Sequence, residues 1–310
     1  MGYNSLFSGS YQELKYGSSR FSFTGLRAYV SMCFFANLIN NVNGGAIYCN
    51  QSPLEVLIED SSFVNCKGGQ SGGGIFCSGN VGFSIMHRLC GYKCYLNDNT
   101  DSWGLFICSN HYVKSVFDYV SASHCYESVS TSNSPLRMNF GIQRYFNINS
   151  SDHKIGADLG VACIHTYDSI VRFACLDRNT GERINIVFHN ASGTVSFCNM
   201  INNSVINYGM LFVNANGRIN AENCYLYKNI GLSYSVYSGI ITVVKCYSNS
   251  HSSSGNVVFV STYSFSQETR MTLLSTYHCP AIVPFIYPTL NAKLNVHQDF
   301  FLLLMQFLLC

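Results

Sequence analysis

The 310-residue sequence predicts an all-β chain wound as a single-stranded parallel β-helix, a solenoid of about ten coils over residues 26–285. Three observations point there. A phrase repeats: NGGAIYC at 43–49 and SGGGIFC at 71–77 stand 28 residues apart. Runs such as VLIEDSSFV, RINIVFH, GMLFV, GIITVVKC and NVVFVST are short and rich in Val, Ile and Phe, and Gly, Asn and Ser bound them, which is the signature of strands. Helical i, i+3, i+4 stripes are scarce outside the C-terminal tail. A period of this length means stacked units, and units made of strands stack as a β-helix.

Taken in order, residues 1–25 read as a lead-in or an incomplete first coil, and they lack the apolar core of a signal peptide. The coils follow. The glycine pairs Gly44–Gly45 and Gly73–Gly74 precede Ile47 and Ile75, so that Ile47 falls on Ile75 and Cys49 on Cys77. Phe35 falls on Phe63, and Asn37 on Asn65, at the same offset. A third copy, KCYLNDNTDSWGLFICSN at 93–110, is expected to place Phe106 over Ile75, Cys108 over Cys77, and Asn97 in the asparagine column. A further series, Cys94, Cys125, Cys175, Cys198, Cys224, Cys246 and Cys279, marks the ends of alternating apolar runs. Units in residues 126–192 are degenerate and receive no register. The tail, 286–310, ends in FFLLLMQFLLC. As a helix, that run would span roughly 16 Å, half the hydrocarbon thickness, so it reads as a truncated membrane span or as an apolar cap.

Stacking explains the repeat. Each strand pairs with its equivalent one coil on, about 4.8 Å away, and like positions pile into columns. Glycine before the strand permits a tight corner, and Asn tolerates the left-handed region. The apolar-x-x-Asn spacing therefore marks a strand end and its corner. No unit buries its apolar face alone.

Charged residues are 11% of the chain and the net charge is +2, with no Lys/Arg run, which argues against a nucleic-acid partner. The fifteen cysteines contain no CxxC. Cysteine columns are expected to pack as small hydrophobes, with disulfides between adjacent coils as the alternative.

The phrases NGGAI (43–47), GGGI (72–75) and FFAN (34–37) resemble the GGAI and FxxN repeats of polymorphic outer-membrane proteins and of related surface proteins of parasitic protists. The resemblance covers residues 30–110. It implies a right-handed parallel β-helix on a cell surface, with a role in adhesion. The chain departs from the pattern at Ser62, where FxxN wants Phe, and at Trp103–Gly104–Leu105, where the GGAI glycines are lost.

Candidate sites are few. His87, Cys90 and Cys94 form HxxCxxxC, three ligands without a clear fourth for zinc. Asn99–Thr100–Asp101 echoes polygalacturonases, but the DD, GHG and RIK segments those enzymes need are missing. Glu59–Asp60 is the only adjacent acidic pair, too little for the calcium cluster of a pectate-lyase-like enzyme. If the protein is secreted, Asn149, Asn190 and Asn202 begin glycosylation sequons expected at coil corners, while Pro53 compromises Asn50. An outward ladder of Tyr225, Tyr227, Tyr234 and Tyr237 would suit a carbohydrate or protein contact. The expected function is thus a non-enzymatic surface repeat module, without cofactor or metal, contacting a protein or glycan on a cell surface. The alternatives are a carbohydrate-active β-helix enzyme, or a fragment of a larger surface protein without activity of its own.

Overall fold

The computed structural model of the chain describes residues 12–14, 19–23, 25–50, 55–97, 103–126, 134–155, 160–181, 185–250 and 252–263. Among them every regular element is a strand, and no helix is long and apolar enough to cross a membrane. The strands pair in parallel with their equivalents one turn away, in a β-solenoid of about eight turns where about ten were expected. Cys279, Asn99–Asp101 and the tail 286–310 lie outside the described residues. Gln12–Leu14 and Phe21–Phe23, within the stretch read as lead-in or incomplete first coil, already pair with later strands.

One turn shows the plan. Ile47–Asn50 forms the first flank, and Glu55–Val64 forms the second and third, bent at Asp60. A single residue with positive φ makes the bend, and it recurs at Met32, Asp60, Arg88, Tyr119, Asn147, Phe173, Phe197, Asn223 and Lys245. A second corner column closes the third flank at Asn37, Asn65, Lys93, His124, Asp152, Arg178, Asn202 and Lys228. A left-handed non-glycine residue costs about 1–2 kcal/mol. The ladders on both sides of each corner hold it there, so bulky and charged residues occupy corners that local preference would give to Asn or Gly.

The register confirms Ile47 on Ile75 and Cys49 on Cys77. It corrects the third copy by one residue: Ile107, not Phe106, lies on Ile75, and Ser109, not Cys108, lies on Cys77. The cause is packing. Phe35 and Phe63 stack at 4.9 Å, but Gly91 follows them in that column and leaves a gap. The Phe106 ring fills it, so close that a Cβ on Gly91 would lie 2.4 Å from ring carbon. Cys108 consequently points to the outer side of the first flank, where it is nevertheless buried. Asn97 also leaves its expected column, because Lys93 is the residue over Asn65. The third copy does keep a corner glycine: Gly44, Gly72 and Gly104 all have positive φ.

The interior is one continuous apolar core. One inward column runs Ile47, Ile75, Ile107, Leu136, Val161, Ile186, Leu211 and Tyr234, so the first flank keeps its register through the described residues of 126–192. Among the described residues twelve cysteines carry free thiols, and they include two stacked series, each directly following a corner. Cys66, Cys94 and Cys125 donate their thiols to the carbonyls of Phe35, Phe63 and Gly91, at 3.6–3.8 Å. Further along the same column, Asn179, Asn203 and Asn229 donate their amides to the equivalent carbonyls of Ser150, Leu176 and Met200, at 2.7–3.0 Å. Each asparagine oxygen also accepts the backbone N–H of its column neighbour: His153 onto Asn179, Asn179 onto Asn203, Asn203 onto Asn229. His153 joins the two halves, its Nδ1 accepting the Cys125 N–H at 3.1 Å. Cys198, Cys224 and Cys246 repeat the thiol pattern on the preceding corner, with Val171, Val195 and Ala221 as acceptors.

Two outcomes follow. Asn203→Ala strands the buried Asn179 N–H and should cost about 1–3 kcal/mol in urea unfolding. His153 is held down to about 3 by burial first and then by His124, against 6.5 for an ordinary imidazole. Folding therefore excludes its proton. The neutral ring's contribution is complete above pH 6.5 and is lost as the pH falls toward 3, at up to about 1.4 kcal/mol per pH unit. His153→Asn should remove that slope, and equal slopes for the two proteins would refute the assignment.

Candidate functional site

The third flank carries an outward cluster of tyrosines. Tyr225–Tyr227 lies in register between Asn199–Ile201 and the end of Gly239–Ser248. Alternation in a strand points Tyr225 and Tyr227 outward and Leu226 into the core, where it is 1% exposed. Tyr247, one turn on, stacks over Tyr225 at 4.9 Å and 15°, and Tyr227 lies 5.6 Å from Tyr225 at 29°. The Lys228 ammonium sits 5.0 Å from the centre of the Tyr227 ring.

The second corner column runs beside these rings. Arg178 grips Asp152 with two bonds of 2.7 and 2.8 Å and also binds Asp177, and Asn202 donates to Asp177 at 3.3 Å. Burial pulls the Asp152 carboxyl upward, but the hydrogen bonds and charge of Arg178 outweigh it and leave the group below its ordinary value. The bond to Asp152 raises Arg178 in turn. Between the corner and the rings lies a cleft of about 310 Å³, lined by Asp177, Arg178, Asn202, Tyr225, Tyr227 and Lys228. Because the rings stack along the axis, a partner meets their edges and hydroxyls more than their faces. The cleft offers phenols, one amide, and the Lys228 charge, with Arg178 already bound to two carboxylates.

The tyrosine ladder read from sequence is therefore split. Tyr225 and Tyr227 belong to the cleft; Tyr234 is fully buried, which pushes its phenol up, and Tyr237 is 80% exposed on another edge. Tyr247 was missed, because the register that lays it on Tyr225 depends on a 22-residue turn following longer ones.

The other candidates do not converge. His87 points outward beside Asp118, its Nδ1 3.2 Å from the carboxylate. Cys90 packs outside the third flank with Val64, and Cys94 points inward. Glu59 accepts the Tyr29 hydroxyl at 2.5 Å, while Asp60 binds Arg88, so the acidic pair faces two different partners. Asn190 and Asn202 occupy exposed corners as expected of sequons, but Asn149 lies within a strand and is 4% exposed, which corrects its expected corner position. Asn50 is exposed at a strand end and donates to the Tyr48 hydroxyl. No known protein family, curated protein or solved structure matches the chain.

Burial raises the thiols of Cys77 and Cys94 well above the ordinary range, and that of Cys108 to about 12. A protonated, enclosed thiol does not attack a disulfide reagent. In the native protein at pH 8 these three should stay unmodified and react only on unfolding. Fast native labelling of Cys77 or Cys94 would contradict the inward columns.

Proposed function

We propose that the chain is a non-enzymatic recognition module, a rigid solenoid that contacts a protein or glycan on a cell surface through its flank. The observation that carries this reading is the tyrosine cleft. Tyr225 and Tyr227 project from a strand locked on both sides by parallel ladders, and Lys228 from the corner that ends it, so little ordering remains to oppose binding. The resemblance of NGGAI, GGGI and FFAN to polymorphic outer-membrane repeats supports a place at the cell surface and a role in adhesion. The inward cysteines, among them Cys66, Cys94, Cys125, Cys198, Cys224 and Cys246, are compatible with an oxidising exterior once folded, because their thiols are sealed in the core. Glycosylation at Asn190 would leave the cleft open. At Asn202 it would lie across it, since that residue lines it.

The test is a binding screen of the native chain against glycan arrays and isolated cell membranes. Tyr227→Ala combined with Lys228→Ala removes phenol, ring–cation contact and charge, and should weaken binding about tenfold or more. Asn202→Gln should leave binding intact or raise it. A screen with no partner, or a partner indifferent to the double substitution, would overturn the reading.

A further inference from the structure

A second cleft, of about 550 Å³, opens beside the glycine corner, between the turns that contain Asn41–Asn43, Gly69–Gln70 and Asn97. Its floor is fixed. The Gly69 N–H donates to the Val42 carbonyl at 2.7 Å. Asn43 Oδ1 accepts the N–H groups of Gln70 and Ser71 at 3.2 and 3.0 Å. Asn97 Nδ2 donates to the Asn40 carbonyl and to Asn41 Oδ1, at 3.0 and 3.2 Å. One wall is Tyr48, held between the Phe76 ring at 5.7 Å and the Arg20 guanidinium at 4.8 Å.

These bonds leave a defined set of polar atoms toward the cleft. Asn41 Nδ2, Asn43 Nδ2, Asn97 Oδ1 and both ends of the Gln70 amide have no partner among the described residues. Tyr48 accepts a hydrogen bond from Asn50 and keeps its own proton to donate. Among the described residues the lining contains no Asp, Glu, Lys, Arg or His. Arg20, packed on the Tyr48 ring, directs Nε and Nη2 to the carbonyls of Gly44 and Asn43, at 3.0 and 2.9 Å. Val42, 51% exposed, supplies an apolar patch.

We infer that this cleft binds a neutral saccharide. Sugar hydroxyls each donate and accept, and an amide-lined surface offers both roles side by side. An ionised ligand would enter without a counter-charge and lose its hydration uncompensated. An apolar ligand would leave the amides unpaired. The volume lies in the usual range for small-ligand sites. The inference shares with the recognition reading only the premise that the flanks are contact surfaces.

The experiment is calorimetric or NMR titration of the full chain with neutral oligosaccharides (glucans, mannans and galactans) and, in parallel, with oligogalacturonate and sialyllactose. Gln70→Ala and Asn41→Ala change exposed side chains, so the fold should survive, as a circular dichroism spectrum would check. Each should weaken neutral-saccharide binding at least fivefold, and the pair together about tenfold or more. No binding of any neutral saccharide, preference for the acidic ones, or indifference to both amide substitutions would overturn the inference. In that event, binding of a partner that still depends on Tyr227 would leave the recognition reading standing; the reverse pattern would sink that reading alone.

Discussion

The structure depends on the parallel hydrogen bonding of each turn to the next. Once Ile47 pairs with Ile75, every other residue of the turn must find its counterpart about 4.8 Å along the axis. Side chains then meet their equivalents whether or not those are compatible, and the whole interior becomes a problem of filling columns. Where a column fails, a neighbour compensates. Gly91 interrupts the Phe35–Phe63 stack, and Phe106 enters from a different position on the following turn to occupy the space. That local repair shifts a whole copy by one residue, yet the pairing of Ile107 with Ile75 continues unbroken.

The same constraint explains the chemistry of the corners. A residue directly after a bend faces inward, close to a carbonyl of the previous turn. Buried polar groups need partners, and a short side chain with a donor supplies one. Cys66, Cys94 and Cys125 do so with thiols, and Asn179, Asn203 and Asn229 with amides, onto equivalent acceptors. The thiol bonds are longer, and sulfur is the weaker donor, but it is also the less costly group to bury. The asparagines add a second bond, to a backbone N–H of the neighbouring turn, that the short thiols of this column do not make. One column thus passes from a mainly apolar solution to a polar one, with His153 at the junction.

Rigidity of this kind also sets what the outer surface is suited to do. Both clefts are built from side chains whose backbones are fixed by ladders or by turn-to-turn bonds, so they present patterns instead of moving parts. The tyrosine cleft combines phenols with a cation, and among the described residues no carboxylate, imidazole or cation lines the amide cleft, so the two surfaces differ in charge. Two surfaces of different chemistry on one rod suit a protein that makes several contacts at once, where linked weak sites give a strong overall attachment.

The sequence by itself determined the architecture and the register of its first two copies, because strand periodicity and the GG–Ile–aromatic–Cys phrase are local signals that stacking repeats. It was silent on the units of 126–192, where Leu136, Val161 and Ile186 keep the inward column while cysteine and glycine landmarks change identity. It placed Cys108 and Asn97 wrongly and divided the tyrosines wrongly for one reason: a column is a relation between turns of unequal length. The identity of a corner residue was equally out of reach, since Arg88, Phe173 and Lys228 take the left-handed conformation only under the pull of the ladders around them. Both clefts belong to the tertiary structure alone, because their lining residues come from neighbouring turns and meet only when the turns lie in register.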